Sequence, residues 1–122
     1  MGPIQNYYVI PGIQKPDLRE LEEVERKSIM KKEVKKVCDA FNVEYDEKKL
    51  NSRTRLRNYV TIRQVSMFLF VKKHGLTLKI AGDFFNKDHA TVIHSCKTVS
   101  ALYSYDKQFI KTINPLIGDI KI

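Results

Sequence analysis

The sequence has few cysteines and no long apolar runs. Only Cys38 and Cys96 occur among its 122 residues, and neither belongs to a C-x-x-C pair. Two such cysteines provide no disulfide framework, so we expect free thiols in a reducing compartment. No stretch reaches eighteen apolar residues, and the N-terminus lacks the basic-then-apolar pattern of a signal peptide. These absences predict a cytoplasmic protein, long enough to form one core without disulfides or a metal.

Patterns of catalysis and cofactor binding are missing as well. No Ser or Cys nucleophile has an evident base, no carboxylate pair lies in an apolar setting, and no G-x-x-x-x-G-K-[ST] loop occurs. His89 and His94 are five residues apart, whereas a zinc-binding pair on a helix has a spacing of four. We therefore predict no enzymatic activity and no cofactor. A metal site that also uses Cys96, in a nuclease or metal hydrolase, is the weaker alternative.

Acidic residues are scarce in one half of the chain. Residues 1–50 carry ten basic and ten acidic side chains, whereas residues 51–100 carry nine basic and only two acidic ones, Asp83 and Asp88. Nearly all of the net charge of +8 therefore lies in one contiguous half. A half of one sign indicates a polyanionic partner, because a surface that is merely solvated would mix the signs. A basic surface without function is the alternative.

The chain divides into an arm and a helical domain. Residues 1–16 hold three of the four prolines, and we interpret them as an extended arm that packs on the domain or on a partner. Residues 17–122 show apolar residues spaced three and four apart and no paired strands, which predicts an all-α domain of five or six helices. The last of these helices is expected to run from Asp106 to Ile113 and to be stopped by Pro115.

Capping residues predict where the earlier helices begin and end. A short helix is expected after Pro16, with Val24 on its apolar stripe, and Ser28 is expected to cap a second helix. A basic loop then covers residues 51–59, and a buried central helix ends at Gly75.

The next segment has the pattern of a helix-turn-helix. Thr77 can cap a short helix, Asn86 and Lys87 form a break, and Asp88 can cap a longer helix that ends near Tyr103. The predicted apolar stripe of this longer helix consists of Val92, Ile93, Cys96, Val99, Leu102 and Tyr103, with His94 packed at its edge.

Residues 87–91 precede this stripe, so their side chains can face a partner. The second helix of such a unit places its N-terminal part in the DNA major groove. Ammonium, carboxylate, imidazole and methyl groups suit the edges of guanine, cytosine and thymine. We predict DNA base contacts from Lys87, Asp88, His89, Ala90 and Thr91, and backbone contacts from Lys97 and Thr98. For Asp88, a role as helix cap alone is the alternative.

Arginines alternate along the basic loop. Arg53, Arg55 and Arg57 can follow phosphates or enter a narrow minor groove, where the negative potential is enhanced. We predict that they contact the DNA backbone or the minor groove, with simple solvation as the alternative.

The stretch KDHATVIHSCK is similar to the motif R-D-H-T-T-V-L-H-A-C-R of the C-terminal DNA-binding domain of the bacterial replication initiator DnaA. Upstream, Arg63-Gln64 resembles the end of the family's basic-loop motif R-P-R-Q, which begins its central helix. The resemblance covers about residues 28–113. It implies a six-helix fold like that of the tryptophan repressor, and binding of double-stranded DNA at short DnaA-box-like sites in the nucleoid.

The same resemblance implies roles for individual residues. Major-groove base reading would fall to residues 88–91, phosphate contacts to Lys87 and Lys97, and basic-loop contacts to Arg57, Arg63 and Gln64. Thr61-Ile62 replaces the Arg-Pro of the family motif, so Arg55 or Arg57 would have to replace its minor-groove arginine.

A function in replication initiation or its regulation is therefore expected, carried by a stand-alone relative without the ATPase module. The alternative from another class is a helical protein-interaction module or transcriptional regulator that kept the fold without DnaA-box specificity. Residues 1–16 would then bind a protein partner or a second copy.

Overall fold

Helices form all the regular secondary structure of residues 17–118, the part of the chain that the computed structural model describes. The arm predicted at residues 1–16 lies outside these residues. The elements are a 3-10 turn at Leu18–Glu20, α1 at Glu23–Ala40, α2 at Glu47–Leu50, α3 at Arg57–Phe68, a π-helical continuation at Leu69–Lys73, α4 at Leu78–Phe84, α5 at His89–Tyr105 and α6 at Lys107–Ile117. The predicted all-α class is confirmed.

The first helical region differs from the prediction. Leu18–Glu20 form only one 3-10 turn, and α1 runs without interruption through Ser28, so the predicted boundary there is wrong. Met30 and Val34 are buried on one face of α1, and the packing of this face outweighs the weak preference of one serine for a helix end. Val24 is 82% exposed, so its placement on a buried stripe is also wrong.

The predicted central helix is confirmed as the middle of the core. Along α3 and its π-helical continuation, Ile62, Val65, Phe68 and Phe70 are almost completely buried. This element packs against both α1 and α5. It ends, as predicted, at Gly75, whose φ of +68° is open to glycine at little cost.

A buried carboxylate ties the end of this helix to α1. Glu33 is 6% exposed, and its Oε1 lies 2.6 Å from Nε2 of His74 and 3.4 Å from Nζ of Lys73. Lys73 also donates to the carbonyl oxygen of Leu116 at 2.8 Å. Burial by itself would raise the pKa of Glu33, but the hydrogen bond with His74 and the charge of Lys73 outweigh it and lower the pKa.

The last helix continues further than predicted. α6 includes Pro115 and ends at Ile117, so the predicted stop at Pro115 is wrong. Proline removes one backbone hydrogen bond, but it does so at an exposed position in the last turn. Burial of Ile113, Leu116 and Ile117 holds this turn against the core.

Both cysteines are free thiols, as predicted. Cys38 is buried in the core, and burial, with a smaller contribution from the charge of Asp39, raises its pKa to about 11. Cys96 is half-buried.

Candidate nucleic-acid interface

α4 and α5 form the predicted helix-turn-helix, and side chains cap both helices. Oγ1 of Thr77 accepts a hydrogen bond from the amide of Ile80 at 3.1 Å. Oδ1 of Asp88 accepts one from the amide of Thr91 at 2.9 Å, and this bond lowers the pKa of Asp88. Asn86 adopts a φ of +59°, so the chain reverses between the helices where the break was predicted.

Gly82 allows the turn to lie directly on α4. The amide of Lys87 donates to the carbonyl oxygen of Gly82 at 2.8 Å. A Cβ atom at Gly82 would lie 2.5 Å from the carbonyl oxygen of Lys87 and 3.2 Å from Cγ2 of Val92. The orientation of α5 relative to α4 therefore depends on the missing side chain.

The buried face of α5 is narrower than predicted. Val92, Ser95 and Val99 face the core at helical spacing, and Oγ of Ser95 donates to the carbonyl oxygen of Thr91 at 2.8 Å. Ile93 is 42% exposed and His94 is exposed, so the prediction that both pack inward is wrong. Ser95 therefore lies in the core although it is small and polar, because its hydroxyl group has a hydrogen-bond partner.

The beginning of α5 presents several of the predicted base-reading residues to solvent. Asp88, His89 and Ala90 are exposed, whereas Thr91 and Lys87 are half-buried. His89, Ile93 and Lys97 are spaced four residues apart and form one exposed row along α5. Ile93 was predicted to lie on the buried stripe, although its spacing of four residues from His89 puts both residues on the same face of the helix.

Arg53 and Arg55 lie exposed in an irregular loop at residues 51–56. Arg57 is also exposed, but it is the first residue of α3, so the loop ends at Leu56, three residues before the predicted end at Tyr59. Leu56, 56% exposed, separates Arg55 from Arg57. We refer to residues 49–57, which run from the last two residues of α2 to the first residue of α3, as the basic loop from here on.

Arg63 does not lie on the surface. It is 6% exposed, and its guanidinium donates to the carbonyl oxygens of Lys49 at 3.2 Å, Leu50 at 3.3 Å and Thr54 at 2.6 Å. Burial lowers the pKa of Arg63. The expectation that Arg63 contacts DNA is not supported by this position, since its donors already bind the basic loop. Gln64 next to it is half-buried.

Lys87 joins the helix-turn-helix to the basic loop. Its Nζ donates to the carbonyl oxygen of Ser52 at 3.0 Å. Partial burial, followed by the positive charges of Arg63, Arg53 and Arg55, lowers the pKa of Lys87. Two segments that the sequence predicts as separate DNA contacts therefore meet at one hydrogen bond.

The remaining predicted contacts lie further along α5. Lys97 is exposed, and Thr98 is half-buried with its Oγ1 at 3.4 Å from Nε2 of His94.

Within residues 17–118, no group of three or more His, Cys, Asp or Glu side chains is arranged to hold a metal ion. None of the helices described there is long and apolar enough to span a membrane.

A helix-turn-helix whose second helix begins with exposed polar residues, beside a loop of exposed arginines, defines a DNA-binding domain as the class of protein. The sequence model of the family described as "Bacterial dnaA protein helix-turn-helix" matches residues 30–99. The chain therefore belongs to this family, and the resemblance of the KDHATVIHSCK motif is confirmed. The family is one of DNA-binding domains in replication initiation.

Curated relatives agree with this assignment. The chain is 39% identical over 84 residues to the chromosomal replication initiator protein DnaA of Flavobacterium psychrophilum, covering 67% of this chain and 17% of the relative. It is 37% identical over 90 residues to that of Nostoc punctiforme (73% and 19%) and 43% identical over 75 residues to that of Bacteroides fragilis (60% and 15%). The chain thus spans less than a fifth of each of these relatives. No solved structure matches it significantly.

Proposed function

We propose that the protein binds double-stranded DNA specifically at DnaA-box-like sites and acts there in replication initiation or its regulation. The start of α5 would enter the major groove, and the basic loop would follow the adjacent backbone or minor groove. One observation carries this proposal: Asp88, His89 and Ala90 are exposed at the start of α5, next to a basic loop that the hydrogen bond from Lys87 to Ser52 holds beside it.

The exposed groups at the start of α5 suit base edges. The cap bond uses Oδ1 of Asp88, so Oδ2 can accept a hydrogen bond from a cytosine amine. His89 can form a hydrogen bond with a base, and the methyl groups of Ala90, Thr91 and Ile93 can contact a thymine methyl. This division assigns sequence reading to the first turn and a half of α5.

Cationic and hydroxyl groups around this turn suit phosphates. Lys97 and Thr98 lie two turns further along α5 and would bind the backbone without reading sequence. Arg53, Arg55 and Arg57 are the exposed arginines of the basic loop and would supply its backbone or minor-groove contacts.

A comparison of two substitutions tests this division. We expect His89→Ala to weaken binding to a DnaA-box duplex by about 1–3 kcal/mol and to leave binding to a scrambled duplex unchanged, because only the base contact is lost. Lys97→Ala should weaken binding to both duplexes alike and reduce the salt dependence by about one phosphate contact. The measurement is a salt titration of affinity on each duplex.

Lys36→Ala, which removes an exposed lysine of α1, is the matched control and should change neither affinity. Equal affinity of the unaltered protein for the box and the scrambled duplex would remove the proposed specificity. An unchanged affinity of His89→Ala for the box would contradict the assignment of α5 as the reading helix.

A further inference from the structure

The basic loop is held by its own backbone carbonyls. Those of Lys49, Leu50 and Thr54 accept hydrogen bonds from Arg63, and that of Ser52 accepts one from Lys87. Four carbonyls within six residues therefore bind side chains of the helical core and of the helix-turn-helix. Carbonyls at a helix end and in a loop have no partner within a helix, so these four bonds fix the loop to α3 and to the turn before α5.

Hydroxyl groups inside the loop complete this arrangement. Oγ of Ser52 donates to the carbonyl oxygen of Lys49 at 2.8 Å and accepts from the amide of Thr54 at 3.1 Å. Oγ1 of Thr54 accepts from the amide of Leu56 at 3.3 Å. These local bonds favour a turn over a helix or strand, so the loop has a defined conformation without any partner.

The positive charges of this region repel one another. Partial burial, and after it the positive charges of Arg63, Arg53 and Arg55, lowers the pKa of Lys87. None of the four belongs to an ion pair among the salt bridges of residues 17–118. Clustered positive charges do not stabilise the folded state by themselves, whereas the phosphates of a DNA backbone would offset their repulsion.

We propose that Arg63 and Lys87 are positioning residues that fix the basic loop relative to α5 before DNA binds. Arg63 binds the loop to α3, and Lys87 binds it to the turn before α5. The loop arginines and the reading helix would then meet one duplex as a single unit, without the entropic cost of ordering a flexible loop. This inference rests on the proposed function for its benefit to binding, but the fixed loop itself is a property of the free protein.

The first experiment therefore needs no DNA. Hydrogen exchange of the amides of Thr54 and Leu56 is measured in the folded protein and in Arg63→Lys and Lys87→Met. Arg63→Lys keeps the charge but cannot reach three carbonyls, and Lys87→Met removes the bond to Ser52. We expect exchange of these two amides to accelerate by about tenfold or more, with α5 amides unchanged. If both variants exchange like the unaltered protein, the loop is fixed by other contacts and the proposal is wrong.

The second experiment separates positioning from a direct phosphate contact by Lys87. Arg55→Ala is expected to weaken binding to a DnaA-box duplex about tenfold, the scale of one lost groove contact. In a Lys87→Met background its effect should shrink to about threefold or less, because the loop is no longer held for Arg55 to act. Lys87 lies in the turn before α5, where a substitution can destabilise the fold. Circular dichroism and the thermal midpoint therefore establish that each variant is folded before affinities are compared.

Lys97→Met is the matched control, since it removes an exposed lysine of α5 that has no hydrogen bond to the loop among those described. The fold-loss of affinity caused by Lys97→Met should multiply with the fold-loss caused by Arg55→Ala. If Lys87→Met also multiplies with Arg55→Ala, Lys87 is an independent contact and the proposal is overturned. Failure of the unaltered protein to prefer the box would instead remove the proposed function and leave the exchange result standing.

Discussion

Gly82→Ala is expected to destabilise the protein even though alanine is the better helix former. The added Cβ would lie 2.5 Å from the carbonyl oxygen of Lys87, a distance that real Cβ atoms do not tolerate. The atom it meets belongs to the backbone, and the turn there is held by the amide of Lys87 and the cap at Asp88. The clash can therefore be relieved only by moving the turn or the start of α5.

The two opposing effects have known sizes. Replacing glycine by alanine within a helix stabilises by about 1 kcal/mol. Overpacking a close contact costs about 1–3 kcal/mol and more where backbone must move. Since Val92 at 3.2 Å adds a second tight contact, we expect the upper part of that range and a net loss of about 1–2 kcal/mol. For a domain of this size the thermal midpoint should fall by about 4–8 °C.

Thermal and urea unfolding measure this loss, and DNA binding at a temperature where both proteins are folded measures its consequence. We expect weaker binding to a box duplex, because moving the carbonyl of Lys87 also displaces the side chain that binds Ser52. Lys79→Ala is the control within α4, since it removes only an exposed ion pair with Asp83 and should change the midpoint little. An increase in the midpoint of Gly82→Ala would refute the close packing of α4 against the turn.

Two further predictions concern carboxylates. The folded pKa of Glu33 is lowered, so its contribution to stability is present above its unfolded value near 4.5 and is lost as the pH falls through the folded value. Glu33→Gln should lower the free energy of unfolding at pH 7 by about 1–3 kcal/mol, because His74 and Lys73 lose their charged partner. Urea titrations at several pH values should also show that the stability of this variant depends less on acid. An equally steep loss in acid would contradict this account. Asp88→Ala should lower the thermal midpoint more than Asp88→Asn, since asparagine keeps an oxygen for the amide of Thr91, and equal midpoints would argue against the cap.

Local signals in the sequence predicted the helix-turn-helix well. Thr77 and Asp88 cap their helices, and Gly75 ends the central helix, because each of these residues acts on backbone groups within a few positions of itself. The family motif at residues 87–97 was equally local. For this reason the family and the class of partner could be inferred before the fold was known.

The predictions that were wrong concern competition between local preference and packing. Ser28 lies inside α1, and Pro115 lies inside α6, since the buried faces of both helices hold them against the core. Ile93 points outward while Ser95 points inward, because the direction of a side chain is set by which face of α5 meets α3. Apolar spacing defines a stripe on a helix but leaves its centre uncertain by one residue.

The sequence by itself determined the helical class, the family and the basic, polar chemistry of the surface, because composition, spacing and short motifs carry these properties. Only the tertiary structure decided how the arginines and lysines are used. Lys87 and Ser52 are thirty-five residues apart in the chain, yet one hydrogen bond joins them. Arg63 reads in sequence as one more basic residue, but α3 buries it beneath the basic loop, where its donors bind carbonyls. Such partners follow from how the helices pack, which no local pattern specifies.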